Sequence, residues 1–169
     1  MKKIKLMVIL GLITGFSGLI LTIFNDTTQP IILEVQSEKE YAIYQDMFPD
    51  MTDFKSIDSS IENINYVNEI MNEQNEIGYV ISSSGANGYG DITALVGIDM
   101  AGNIIGLNYS VFNQTPGFGD KVKTDEFLSQ FSSGNISKLE IDGATGATYS
   151  SNLVKQLIDN IKNVYEGGL

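Results

Sequence analysis

The chain has no cysteine, histidine, tryptophan or arginine among its 169 residues, and only three prolines. Without cysteine there are no disulfides, no thiolate nucleophile and no thiolate metal site. Without histidine, a His-ligated zinc or haem and a Ser-His-Asp triad are excluded. Any redox or transfer chemistry must therefore use a bound cofactor or carboxylates. All ten positive charges are lysines.

The charges are unevenly placed. Lys2, Lys3 and Lys5 precede a stretch from Leu6 to Asn25 with no charge at all, and every acidic residue lies at or after Asp26. Beyond residue 25 there are seven lysines against 21 acids, a net charge of −14. So acidic a surface repels phosphate backbones and speaks against nucleic acid as a partner. The apolar stretch is long enough to cross a bilayer as a helix. Its lysine flank predicts a cytoplasmic N-terminus and an extracytoplasmic acidic domain in a single-pass cell-membrane protein. The length, and the missing A-x-A-like site, favour a retained anchor over a cleaved signal peptide.

The reading along the chain is an anchor over 1–25, a helical membrane-proximal segment over 26–76 and a compact domain over 77–169. After Asp26-Thr27-Thr28-Gln29-Pro30, a polar exit with a helix stop, Ile32, Val35, Tyr41, Ile43, Tyr44, Met47 and Phe48 form a rough helical stripe ended by Pro49-Asp50. Ile57, Ile61, Ile64, Val67, Ile70 and Met71 predict another helix. The period then changes. Strands are expected at 77–81, 92–98 and 104–111, with a Gly/Ser/Asn loop over 82–90 and a hairpin turn at 99–103. A short helix is expected over 123–131, a short strand at 139–141 and a final amphipathic helix from about Tyr149 to Tyr165. The fold class is α+β: one transmembrane helix, then a small domain with an antiparallel sheet and flanking helices.

Two runs carry the functional argument. The first is Asp142-Gly143-Ala144-Thr145-Gly146-Ala147-Thr148-Tyr149-Ser150-Ser151. It places Thr148 at a helix N-terminus, where free N–H groups and the positive end of the helix dipole suit a phosphate. Gly146 and Ala147 leave the Thr148 hydroxyl open, and Ser150 and Ser151 are candidates to cap the helix or to bond a phosphate oxygen. The lysine of a GxxxxGK[ST] loop is missing. The bland alternative is an ordinary loop ahead of a helix cap. The second run is Gln114-Thr115-Pro116-Gly117-Phe118-Gly119-Asp120-Lys121-Val122. Pro116 and Gly117 set a tight turn, Gly119 permits close approach, Phe118 is a candidate to pack on a flat ring system, and Thr115 to bond its polar edge. Here the bland alternative is a turn with Phe118 in the core.

The Thr145–Ser151 string resembles the flavin-attachment motif of two related families: the G-type component of Rnf electron transport complexes and the C-type component of Na⁺-pumping NADH:quinone reductases. In those families the last Thr of (S/T)-G-A-T-x-(S/T)-(S/T) carries FMN through a phosphoester. Gln114–Gly119 resembles their (E)-T-P-G-L-G string, with Gln114 standing where Glu is common and Phe112-Asn113 ahead of it where a His is frequent. The stretch from Gly88 to Gly102 and the Thr28–Ile31 exit are similar to the family as well. The resemblance implies an FMN-binding domain with FMN covalently held on Thr148 and loaded by a separate flavin transferase. It also implies partners among the other subunits of an Rnf-like membrane complex that couples ferredoxin:NAD electron transfer to ion movement. Independent catalysis is not expected of this chain. The alternatives are a solitary tethered flavoprotein for extracellular electron transfer and a tethered binding module without covalent flavin.

Overall fold

The computed structural model describes residues 2–57, 61–132 and 134–168. Helix α1 spans Lys2–Met47. Strands β1 (Asp53–Ile57), β2 (Ile64–Asn72), β3 (Asn75–Asn87), β4 (Gly90–Asp99) and β5 (Ile104–Phe112) follow. The chain then makes short 3₁₀ turns around a one-turn helix α2 (Asp125–Leu128) and ends in α3 (Thr148–Glu166). Two compact units meet in sequence after Lys39. The first holds Lys3–Asp26, a helical stretch of mean hydropathy 2.4, long and apolar enough to cross a membrane. The second, from Glu40 onward, holds the sheet.

The sheet is an antiparallel meander in the order β1-β2-β3-β4-β5. Its residues alternate between two cores, as a period of two requires. Ile92, Ala94, Val96 and Ile98 of β4 face α3, which buries Leu153, Val154, Leu157, Ile158, Ile161 and Val164. Leu95 points the other way, with Val80 and Ile70, against Tyr44, Phe48 and Met51. Small residues set both approaches. A Cβ on Gly85 would lie 3.0 Å from Leu153 Cδ1, so a larger residue would have to displace side chains of α3. A Cβ on Gly78 would lie 2.8 Å from Phe48 Cε1.

Several expectations are corrected. The helix stop expected at Pro30 is absent, because α1 runs on to Met47. An interior proline removes one backbone donor and crowds the carbonyl four residues back, at about 3 kcal/mol, a cost that can bend a helix without ending it. The side chains of Ile32 and Val35 lie outside the described residues. The helix expected over 57–75 gives way to strands β1 and β2, so the 26–76 segment is helical only as far as Met47. β2 is buried on both faces and carries register shifts at Ile64/Tyr66 and Ile70/Met71. Its buried Ile64, Val67 and Ile70 therefore fall three residues apart and imitate a helix.

The loop expected over 82–90 is mostly strand, since β3 pairs with β4 as far as Asn87 opposite Gly90. Ser82 and Ser83 are buried there, and Ser83 Oγ donates to the Asn63 carbonyl at 2.8 Å. Residues 139–141 join no ladder. The Asp142 N–H just beyond them donates instead to Gln130 Oε1 at 2.7 Å. The helix expected over 123–131 is reduced to α2 between 3₁₀ turns, with Phe127 and Phe131 inward as expected and Leu128 half-buried.

Candidate functional site

Thr148 is the first residue of α3 and is exposed. The residue before it, Ala147, occupies the N-cap and makes no side-chain cap bond. The first helical bond runs from the Ser151 N–H to the Ala147 carbonyl, 2.8 Å. The amides of Thr148, Tyr149 and Ser150 thus begin the helix without intrahelical acceptors, at the positive end of its dipole. A tight turn delivers the chain to this point: the Ala147 N–H donates to the Ala144 carbonyl at 3.0 Å, and Gly146 takes φ +78°. Positive φ at the third position of such a turn favours glycine.

Three side chains from elsewhere hold the loop. Gln130 brackets the backbone of Asp142, accepting from its N–H and donating Nε2 to its carbonyl at 3.4 Å. Ser151 Oγ accepts from the Ala144 N–H at 2.9 Å. Lys121 Nζ donates to the Thr145 carbonyl at 2.8 Å. Ser150 Oγ meanwhile donates its one proton to Gln114 Oε1 at 2.7 Å, with both residues buried. This corrects one of the two roles expected of the serines: neither caps α3 with its side chain. The Ser150 proton is already committed. Both tie the helix start to neighbouring loops.

The 114–122 run behaves similarly. Thr115 Oγ1 donates to the Tyr89 carbonyl at 3.4 Å, and the Thr115 carbonyl accepts from Gly119 N–H at 3.0 Å. The Gly117 N–H, in the turn after Pro116, donates to Asp120 Oδ2 at 2.8 Å. Gly119 has to be small, since a Cβ there would lie 2.4 Å from Gln114 Cβ. Phe118 is not in the core: it is 63% exposed.

Phe118 has company. With Tyr89 and Tyr149 it lines a shallow depression of about 50 Å³ whose floor is Gly146, Ala147, Thr148 and Ser150. The Tyr89 and Tyr149 rings lie 5.5 Å apart, and Asn87 Nδ2 donates to the Tyr149 carbonyl at 3.2 Å. Thr145 lies on the other side of the turn and borders a separate cavity of about 560 Å³ with Lys121, Thr124, Phe127, Gln130 and Asp142. The structure thus brings Thr148, Gly146, Ala147, Ser150 and Phe118 together and sets Thr145 apart from them. Tyr149 and Lys121 lie inside the two runs and Tyr89 inside the Gly88–Gly102 stretch, but the sequence suggests no role for any of them; Asn87 and Tyr149 are 62 positions apart, so no local pattern joins them. Among the described residues no cluster of acids could hold a metal.

An exposed threonine, uncapped helix amides and three exposed aromatic rings fit FMN: an ester oxygen, an anion site and flat apolar faces. Comparison with known proteins agrees. A family model described as an FMN-binding domain matches residues 88–163. Over 164 residues the chain is 25% identical to the G subunit of the ion-translocating oxidoreductase complex of Methanosarcina acetivorans, covering 89% of this chain and 87% of that one. Over 190 residues it is 26% identical to the G subunit of the Na(+)-translocating ferredoxin:NAD(+) oxidoreductase complex of Acetobacterium woodii, covering 96% of this chain and 91% of that one. Residues 88–163, which hold Tyr89, the 114–122 loop and Thr148, match the FMN-binding domain family, in a chain similar to the G subunits of ion-translocating oxidoreductase complexes.

Proposed function

We propose that this chain is a membrane-anchored electron-carrier flavoprotein, the G-type subunit of an Rnf-like ion-translocating ferredoxin:NAD oxidoreductase, with FMN bound to Thr148 through a phosphoester. The single observation that carries the attachment point is the setting of Thr148: exposed, on the first turn of α3, over amides that its own cap residue leaves open. FMN would supply the one- and two-electron chemistry that no side chain of this protein offers. The chain's part is to fix the cofactor and set its surroundings. The α3 amides would hold the phosphate, Gly146 and Ala147 would keep the approach clear, and Phe118, Tyr89 and Tyr149 would offer ring faces.

Attachment needs help. No side chain beside Thr148 is a general base, and a threonine hydroxyl is a weak nucleophile on its own. A transferase would supply the base and a flavin dinucleotide as donor. The Thr148 oxygen forms a bond to the flavin-side phosphorus, the pyrophosphate bond breaks, a nucleoside monophosphate leaves, and the hydroxyl proton passes to the transferase. The apolar helix near the N-terminus would anchor the domain, and the lysine flank supports a domain outside the cytoplasm. Partners are the other subunits of the complex.

The test is to make the protein beside a flavin transferase, look for flavin fluorescence in a denaturing gel, and map the peptide by mass. A fluorescent band with the FMN mass on Thr148, lost in Thr148→Ala and kept in Thr145→Ala, supports the assignment. Fluorescence retained in Thr148→Ala overturns it.

A further inference from the structure

We propose that Lys121 is the counter-charge for the flavin, raising its reduction potential and steadying it against the acceptor turn. The inference rests on the reading that FMN sits on Thr148. Lys121 comes from the 114–122 run, yet its ammonium reaches into the 142–148 loop. It donates to the Thr145 carbonyl at 2.8 Å, and a Cβ on Gly146 would lie 2.6 Å from Nζ. This puts the ammonium against a residue two positions before Thr148.

What surrounds this cation gives it meaning. The part of the chain after residue 25 carries a net charge of −14. A phosphoester adds one negative charge, and reduction of the ring adds electron density on top. In that setting an uncompensated flavin would be hard to reduce. The other lysines whose contacts are known are engaged away from the site. Lys55 pairs with Glu69 at 3.6 Å, Lys123 lies 4.8 Å over the Phe112 ring, and Lys162 donates to the Ser137 carbonyl. Among the described residues, Lys121 has no carboxylate partner within ion-pairing distance and bonds only to a neutral carbonyl, so its charge is available to a ligand. The carbonyl bond holds the ammonium in place before any flavin arrives, so it need not be ordered on attachment.

The experiment compares the loaded parent with Lys121→Met, Lys121→Arg and Lys123→Met, each first shown by thermal melting to be folded. Midpoint potential is read by spectroelectrochemistry, and flavin mobility by fluorescence anisotropy. Lys121→Met is expected to bind reduced flavin about tenfold less favourably relative to oxidised flavin. For a two-electron couple that is a potential about 30 mV more negative. Its anisotropy is expected to fall, and Lys121→Arg should restore both readings. Lys123→Met removes the same net charge two residues away, so it controls for the field of the whole domain. A potential in Lys121→Met equal to the parent's overturns the proposal. So does an equal shift in Lys123→Met, or a failure of Lys121→Arg to restore either reading. A parent that takes no flavin on Thr148 is a different failure: it overturns the attachment reading, and the denaturing gel reveals it before any potential is measured.

Discussion

Ser150 and Gln114, 36 positions apart, share a buried hydrogen bond of 2.7 Å that fastens the start of α3 to the 114–122 loop. Gln114 Nε2 is buried with no partner, so only the carbonyl half of the amide is used. Gln114→Ala removes the acceptor and leaves the Ser150 hydroxyl unsatisfied, a loss of about 1–3 kcal/mol measurable by urea unfolding. Gln114→Glu keeps an acceptor for Ser150 and adds negative charge near the helix start. Its loaded flavin is expected to show a more negative potential than the parent's. An unchanged stability in the alanine variant would show that the bond does not hold the loop.

Gly90 joins the β3–β4 hairpin to the same loop. It takes φ +131°, and a Cβ there would lie 1.7 Å from the Asn113 carbonyl oxygen. Gly90→Ala meets both a strained backbone and a backbone clash, with an expected cost of about 2–4 kcal/mol. Chemical denaturation reads this directly; a cost under about 0.5 kcal/mol, the scale of an ordinary surface change, would contradict the close approach.

Phe118 is 63% exposed and Tyr149 66% exposed. Rings so open hold little of the fold together, so Phe118→Ala should change stability by less than about 0.5 kcal/mol. In the loaded protein the same change is expected to shift flavin absorbance and to relieve fluorescence quenching. Identical spectra would place the ring away from this aromatic surface.

Stability should fall in alkali. On the sheet face opposite α3, Asn68 Nδ2 donates to Tyr44 Oη at 3.1 Å, Tyr44 donates to Tyr66 Oη at 2.9 Å, and Tyr66 donates to Glu40 Oε2 at 2.7 Å. Burial pushes the Tyr44 hydroxyl up to about 12 and also raises that of Tyr66. The neutral form is the one the fold prefers. The contribution is complete below about pH 10, where the unfolded tyrosine keeps its proton, and is lost as pH rises from there through the folded value. Each such tyrosine lowers stability by about 1.4 kcal/mol per pH unit in that window. Urea midpoints taken from about pH 8 to 12 should be level up to about 10 and fall after it. Tyr44→Phe should reduce the slope.

The parts of the fold that are legible in the sequence are those with one buried face. α3 shows its stripe from Leu153 to Val164 because only one side meets the sheet, and β4 and β5 show a hairpin around Gly102, where φ is +83°. β2 is hidden because it is buried on both faces. β3 is half hidden because Ser82 and Ser83 are polar though buried, and Gly85 is small to admit α3, so the stretch looks like loop. Within the site, the Thr148 motif is legible as a helix start, since a local run makes it. The ties among Gln114, Ser150, Lys121 and Thr145, and the meeting of Tyr89 with Tyr149, depend on strands and loops brought together from distant positions. No spacing rule encodes those contacts.

The residues that cover the sheet face opposite α3 come from the far end of α1. Tyr44 is 1% exposed and Phe48 6%, packed with Met51 over Ile70, Val80 and Leu95. This decides where the chain can be shortened. Cutting away the apolar stretch while starting a few residues ahead of Glu40 leaves this cover in place and should yield a soluble domain. Cutting at Asp50, which looks like the natural joint because a proline precedes it, would strip Tyr44 and Phe48 and leave the underside of the sheet wet.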